Sequence, residues 1–549
     1  MPDLPRPAPR ELVQQLVDYT NTPAEPVELV QLLRPARLAL RSSPHSRALY
    51  GQAHGFWDAL ATVWRMQAER LENEDKSAIP AVLALSAFLV SLCTQEPHNQ
   101  REAVTHVEPH LRKVLVVASS LFNLEDAAYT DMTRTCCQAL ANLVTGNETL
   151  ASTYFPRRLE LEAEDHLIQR LLASPDQGTL QAVLIFLLNS IHGSRDRALL
   201  LGTSKTGSAI LDRLMVLVSA LFGDESPENI AHEDFTSDVF ALSFAIVQQI
   251  NSLGAFAETY EAHALMPGFA ISPTLVTLLK FLDGHLSSSL SPSPSLSSSL
   301  ATALDLVPFL LRQLNTLSSS LLTTGQEGER AKDAADAATF QGAVLVLHCL
   351  CEVGLGIERA MQEEGKGNVE RGGLADGVDD VVRLLRFAST LSPAPAPRPP
   401  PSSSSSSAAK ITEIPPNSPA SPPRTSPTTS TSTSTPTPAE ADSPAIEQLK
   451  RTCVRYLGIV AFVPAHGKSD AETQRAQARV RTSGGLAMLL GMCQIDERNP
   501  TLREHALFAI RNVLKGNQEN QDFVEGIKPQ FVVGPDGALQ DLPPALRKS

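Results

Sequence analysis

Arg134-Thr-Cys-Cys-Gln-Ala-Leu-Ala-Asn-Leu-Val-Thr-Gly-Asn147 and Glu504-His-Ala-Leu-Phe-Ala-Ile-Arg-Asn-Val-Leu-Lys-Gly-Asn-Gln518 are two copies of one pattern. Ala139 coincides with Ala509, Asn142 with Asn512, Gly146 with Gly516 and Asn147 with Asn517. A third copy, Phe186-Leu-Leu-Asn-Ser-Ile-His-Gly193, places Asn189 and Gly193 in the same slots. A weaker fourth, Phe88-Leu-Val-Ser-Leu-Cys93, has Ser91 where the asparagine stands. Each copy is an apolar helix carrying one polar residue and closed by a glycine or polar turn, glycine being suited to the left-handed position after a helix. Asn142 and Asn189 lie 47 residues apart, at the upper edge of armadillo and HEAT periods, and Ser91 and Asn142 lie 51 apart. One helix pair of this kind cannot bury its own apolar face, whereas stacked neighbours can, which predicts a solenoid with a concave surface. The competing reading is an irregular helical bundle with chance similarity.

Composition agrees with helices packed on helices. Of 549 residues, 42% are hydrophobic but only 5% aromatic, with Leu and Ala dominant. These residues lose little side-chain freedom in a helix, while sheets draw on Val, Ile, Tyr and Trp. The net charge of -14 argues against binding a phosphate backbone. From Ala445 to Pro529 the balance is less acidic, twelve Lys or Arg against nine Asp or Glu. The seven cysteines include no CxxC, fall in apolar stretches and suit a reducing compartment. The first residues, Met1-Pro-Asp-Leu-Pro-Arg6, show no apolar signal region. The longest nearly apolar stretch, Ile79–Cys93, falls short of a membrane span and reads as a buried helix. A cytoplasmic protein without membrane insertion is expected.

Along the chain, residues 1–390 read as helices split by Pro, Gly or polar clusters. Leu12, Leu16 and Tyr19 fit one helix face, Phe56, Leu60, Val63 and Trp64 a second, and Val82, Leu85, Phe88, Leu89 and Leu92 a third. Period-two alternation is nearly absent, so no strands are expected. Ser287–Ser299 reads as a loop within the repeats and Thr323–Asp336 as a frayed helix. Ser392–Ser443, dominated by Pro, Ser and Thr, has too little apolar surface to offset the entropy of ordering. The predicted organisation is an all-α, armadillo/HEAT-like helical-repeat solenoid over 1–390. A disordered linker over 391–445, a compact domain over 446–530 and a tail over 531–549 complete it.

The compact domain contains Leu449-Lys-Arg-Thr-Cys-Val-Arg-Tyr-Leu-Gly458, Gly484-Gly-Leu-Ala-Met-Leu-Leu490, Cys493-Gln-Ile-Asp496, Asn499-Pro500, Arg503-Glu504, Ala509-Ile-Arg-Asn-Val-Leu514 and Asn517-Gln-Glu-Asn-Gln521, in that order. This ordered set resembles the ataxin-10 domain. Asn99-Gln100 follows its helix as Asn520-Gln521 does. Three positions depart from the family pattern: Ile459 stands where Asn is usual, His505 where an aromatic is usual, and the Asn-Gln turn expected near Glu472–Gln474 is missing. The resemblance implies an armadillo-like cytoplasmic scaffold whose relatives are linked to cytokinesis and cell survival, with no catalytic residues to carry over.

Motifs for chemistry are weak. Gly467-Lys468-Ser469 lacks the earlier glycine of a phosphate loop, having Phe462 there. His106 and His110 are separated by helix-breaking Pro109. Met488, Met492 and Cys493 are too few to make a soft metal site. No catalytic residue, cofactor or metal is expected, and other proteins are the expected partners, with no nucleic acid. Self-association stays open, as does a role as chaperone or assembly adaptor for one client. By resemblance to armadillo repeats, Asn142, Asn189 and Asn512, with Arg511 beside the last, are candidates to hydrogen-bond an extended partner chain. The alternative is that each asparagine bonds a neighbouring helix end or loop carbonyl. Arg475 and Arg479, with Arg481, form a basic cluster before Gly484-Gly485, read as an anion contact or a solvated helix face. Ser421-Pro-Pro-Arg424 fits a proline-directed phosphorylation site.

Overall fold

A computed structural model describes residues 7–22, 25–222, 233–264, 270–293, 296–326, 334–363, 371–392, 443–463, 470–494, 496, 498–527, 531–533 and 539–541. The chain divides into two compact units, Met1–Phe309 and Leu310–Ser549. In the first, a row of helices packs in sequence order: α1 (Pro26–Ser42), α2 (Ile79–Cys93), α3 (Ala127–Val144), α4 (Gln177–Ile191), α5 (Glu233–Ser252) and α6 (Pro273–Ser289). Shorter helices, among them Pro44–Gly51, Pro97–His106 and Arg195–Thr203, fill the layer behind it. In the second unit, α7 (Ala334–Glu363), α8 (Ser443–Val460) and α9 (Leu502–Leu514) form a like row, with Val378–Leu391 also against α8. This is the armadillo-like, all-helical repeat architecture that the sequence repeats predict.

The apolar stripes read from sequence are the core. Leu12, Leu16, Phe56, Leu60, Val63, Trp64, Val82, Leu85, Phe88 and Leu92 are all fully buried. The repeat turn has one geometry. Gly146, Gly193, Gly254 and Gly516 adopt φ of 68°, 68°, 67° and 69°. Gln95 stands in the same slot after α2 with φ 53°, a left-handed backbone that costs a residue bearing a Cβ about 1–2 kcal/mol. A capping residue then starts the next helix: Asn147 accepts from the Leu150 amide, Ser194 from Arg197 and Asn517 from Asn520.

Successive repeats are joined through the unpaired carbonyls that every helix leaves in its last turn. Gln100, behind α2, donates from Nε2 to the carbonyls of Asn142 (2.8 Å) and Thr145 (2.9 Å) at the end of α3. Its Oε1 accepts from Asn147 Nδ2 at 2.9 Å. Gln477, in the helix Ala471–Thr482, makes the same three bonds at the end of α9: to the carbonyls of Asn512 (2.8 Å) and Lys515 (3.0 Å), and from Asn517 Nδ2 (3.2 Å). Arg47 reaches forward in the same sense, donating to the Thr94 carbonyl at 2.7 Å. Gln477 also corrects the sequence reading, which sought this glutamine near Glu472–Gln474. The preceding residue is Ala476 rather than Asn, so the pair was hidden.

Other expectations change. Most of Ser287–Ser299 is helical, because Leu286, Leu290, Leu296 and Leu300 are buried and serine is tolerated between them: α6 runs to Ser289 and a helix covers Leu296–Asp305. Within Thr323–Asp336, the helix Val307–Gln326 ends and α7 begins at Ala334, with the rest outside the described residues. Short strands β1 (Phe531–Val533) and β2 (Leu539–Asp541) pair antiparallel in the tail, where no strand was expected. The sequence between them, Gly534-Pro-Asp-Gly537, is rich in turn formers. Lys76–Cys93 and Ala337–Gln362 are long and apolar enough to cross a membrane, yet 61% and 67% of their apolar windows are buried within the chain. Cys493 lies in a turn, not a helix; the other six cysteines are buried in helices.

The predicted division at 391–445 does not coincide with the two units. Val378–Leu391 and α8 belong to one unit and pack against each other. Ser392 and α8 are joined by a buried polar cluster. Ser392 Oγ donates to Glu447 Oε1 at 2.6 Å, and Lys450 donates to that carboxylate at 3.0 Å and to the Ser392 carbonyl. Asn499 Nδ2 donates to the Glu447 carboxylate at 2.8 Å and to its carbonyl at 2.9 Å. Burial alone raises the Glu447 pKa; the hydrogen bonds from Ser392, Lys450 and Asn499 outweigh it and hold the group below its ordinary value.

Replacing Gln477 by Ala strips partners from two helix-end carbonyls and the Asn517 amide. It is expected to cost about 1–3 kcal/mol, read as faster hydrogen exchange over residues 502–525 of the full chain. Gln521→Ala, which removes one bond within its own repeat, to Leu514, is expected to leave exchange nearly unchanged. Equal effects would show that the bonds between repeats carry no special weight.

Candidate protein-binding surface

Each candidate asparagine faces the preceding helix of its row. Asn142 Nδ2 donates to the Val90 carbonyl at 3.1 Å and approaches Thr94 Oγ1 at 3.5 Å. Asn189 Nδ2 donates to Thr145 Oγ1 at 2.8 Å, and Asn512 Nδ2 to the Gly458 carbonyl at 2.9 Å. The structural alternative set out from sequence therefore holds for Asn142 and Asn512, which bond carbonyls, while Asn189 spends one donor on a hydroxyl. These bonds leave the acceptors: among the described residues no hydrogen bond reaches the side-chain oxygens of Asn142, Asn189 or Asn512. Asn142 and Asn189 are half-buried, so those oxygens can meet solvent or a partner's N–H, while Asn512 is buried.

Two threonines belong to this ladder and were missed from sequence. Thr94 and Thr145 each donate to a carbonyl four residues back in their own helix and present the hydroxyl oxygen to the asparagine of the next repeat. The signal was a threonine three residues after the Ser91 or Asn142 slot, obscured because His192 and Lys515 stand there in the other two copies.

Gly458 and Ile459 show how the ladder is built and interrupted in the second unit. A Cβ on Gly458 would lie 2.7 Å from a ring carbon of Phe508 and 3.1 Å from the Ala509 Cα. Glycine is what lets α8 and α9 approach closely enough for the Asn512 bond. Ile459, in the slot usually held by Asn, is buried and packs against Gly354 of α7, where a Cβ would lie 2.4 Å from its Cγ2. An apolar contact replaces the polar rung there.

The basic cluster is largely engaged. Arg475 donates to Asp376 Oδ1 at 2.8 Å, and Arg479 to the same oxygen at 2.7 Å and to the Ala375 carbonyl at 2.9 Å. Arg481 bonds Asn520 Oδ1 at 2.8 Å and Glu519. Such exposed pairs are individually weak, but an outside anion has to compete with Asp376. Arg511 is exposed and makes no ion pair among the described residues. Ser421 and Gly467-Lys468-Ser469 lie outside the described residues.

Burial pushes the thiols of Cys93, Cys136, Cys137, Cys453 and Cys493 up, Cys136 to about 12, which leaves them protonated and unreactive at neutral pH. The helix break predicted at Pro109 is present, with Pro97–His106 ending before Glu108–Ala118 begins. Among the described residues no three His, Cys, Asp or Glu side chains gather as a metal site.

Residues 449–543 match the family model described as the spinocerebellar ataxia type 10 protein domain. Over this region the chain is similar to the ataxin-10 family. The chain is 36% identical over 76 residues to the ataxin-10 homolog of Dictyostelium discoideum and 37% identical over 70 residues to that of Candida glabrata. Ataxin-10 of Xenopus tropicalis is 36% identical over 59 residues. These matches cover 14%, 13% and 11% of this chain, and only 12%, 13% and 12% of the three relatives. Among solved structures, that of SYS-1 aligns over 98% of this chain and 91% of its own, with 11% identity and a TM-score of 0.34. A SYS-1/POP-1 complex aligns over 96% and 97%, with 11% identity and a TM-score of 0.33.

The burial difference along the ladder sets different costs. Asn512→Ala leaves the Gly458 carbonyl buried and unpaired, and is expected to lower stability by about 1–3 kcal/mol. Asn142→Ala and Asn189→Ala, where water can replace the amide, are expected to cost under about 1 kcal/mol each. Urea denaturation of the full chain followed by hydrogen exchange checks the order.

Proposed function

We propose that this chain is a non-catalytic protein-interaction scaffold acting in the cytoplasm, and that its process is cell division, in line with what the ataxin-10 resemblance implies. The observation that carries the reading is the pair of side-chain oxygens on half-buried Asn142 and Asn189, which no hydrogen bond reaches among the described residues. Their amides are anchored to the preceding repeat of the same row, so the oxygens are held in place before any partner arrives. Neighbouring helices of such a row lie about 8–10 Å apart, roughly three residues of an extended chain. An extended partner segment can therefore place backbone N–H groups on both. Each amide spends at least one donor on the preceding repeat, while both oxygens stay open to a partner's N–H.

A quantitative pull-down from dividing cells, comparing wild type with the folded double variant Asn142→Ala/Asn189→Ala, tests this. A small set of partners captured by wild type and lost with the variant is the expected result. An unchanged partner list would place binding elsewhere and leave the asparagines as structural links. Partners confined to functions unrelated to division would remove the assignment of process.

A further inference from the structure

The repeat geometry singles out a second surface, distinct from the asparagine ladder. Counted from the repeat asparagine, positions nine, five and two residues before it and two after it share one helix face. In α3 these are Thr133, Cys137, Leu140 and Val144; in α4 they are Leu180, Leu184, Leu187 and Ile191. All eight are buried, Cys137 and Leu184 completely. Both helices are followed by another helix of the row. In α9 the same positions are Arg503, Leu507, Ile510 and Leu514. Here Arg503 is exposed, Leu507 is 50% exposed, and Ile510 and Leu514 are half-buried. Among the described residues no row helix follows α9.

The glutamine that joins repeats shows the same open end. Asn99 and Asn520 are equivalent, each donating to the carbonyl seven residues earlier, Leu92 and Val513 respectively. Gln521 is therefore the counterpart of Gln100, whose side chain holds the end of the next helix of the row. Gln521 is folded back instead, donating to the Leu514 carbonyl at 2.8 Å. Phe523 and Ile527, in and just after the helix that follows α9, are also exposed, by 39% and 48%.

We propose that this face of α9, with Gln521, docks one amphipathic α-helix of a partner protein, an apolar stripe flanked by acidic residues and ending in a turn that offers two backbone carbonyls. The apolar stripe follows from what covers the same positions in α3 and α4, and the carbonyls from what Gln100 and Gln477 hold. The acidic flank follows from Arg503 and Arg511, which border Leu507 on that face, are exposed and make no ion pair among the described residues. The partner helix thus extends the row by one member, and the bonds it receives are those already made twice within this chain.

The test titrates a stapled helical peptide into the full chain by calorimetry. The peptide carries a Leu/Ile stripe, flanking Glu residues and the ending Asn-Leu-Val-Thr-Gly-Asn. The expected result is saturable binding that Leu507→Glu abolishes and Gln521→Ala weakens about five- to tenfold, the loss of one or two hydrogen bonds. A peptide with Lys in place of the flanking Glu is expected to bind more weakly. Leu507 is half-exposed, so the variant is expected to melt as wild type does, and circular dichroism verifies that. Asn142→Ala/Asn189→Ala is expected to bind the peptide normally, which separates this surface from the ladder. Absence of binding, binding indifferent to Leu507→Glu, or equal binding of the Lys-flanked peptide would overturn the proposal. So would concentration-dependent dimers in sedimentation that Leu507→Glu dissolves without any peptide binding, since the face would then meet a second copy of this chain.

Discussion

The structure depends on how the carbonyls at the end of each row helix are satisfied. A helix leaves four such groups unpaired, and burying them at a repeat junction is costly unless partners are supplied. Gln100 and Gln477 meet this constraint with one side chain each, bonding two carbonyls and receiving the capping asparagine of the next helix. A carboxamide suits the task because it offers two donors and an acceptor without a charge to desolvate. Hydrophobic burial supplies most of the driving force, but it is non-directional. The glutamine fixes the register in which one repeat meets the next.

The asparagine ladder and the left-handed turn follow from that register. The turn holds φ near 68° in four repeats, which sends the chain from the row into the layer behind and puts the capping residue within reach of the preceding glutamine. The repeat asparagine then bonds the row helix before it. Polar groups thus link repeats on both sides of an apolar core, and what remains outward is a set of fixed acceptors. Among the described residues, α9 lacks the row helix that follows these elements elsewhere, and exposed Leu507 and the folded-back Gln521 mark the difference.

Much of this was legible in the amino-acid order. The Asn-x-x-x-Gly-Asn pattern identified the repeat, and the helical spacing of Val82, Leu85, Phe88 and Leu92 identified a core helix. Less legible were features whose meaning lies in a distant partner. Gln477 lacks the neighbouring Asn that marks Asn99-Gln100, and only its bonds to Asn512 and Lys515 reveal the equivalence. Ile459 looked like a lost contact residue but is an apolar surface fitted to Gly354, more than a hundred residues away. The Ser-rich stretch after Leu286 looked like a loop because serine favours turns, yet two pairs of buried leucines four residues apart, Leu286 with Leu290 and Leu296 with Leu300, decided otherwise. The Arg475 and Arg479 cluster could not be judged without Asp376.

The central claim is that Gln477 and Asn517 act as one unit joining two repeats. A double-mutant cycle, with Gln477→Ala, Asn517→Ala and both together measured by hydrogen exchange over residues 502–525, tests it most directly. The account predicts an interaction energy of about 0.5–3 kcal/mol, the double variant losing less than the sum of the two singles. Additive losses within about 0.3–0.5 kcal/mol would contradict it, because the two side chains would then be stabilising their own helices independently.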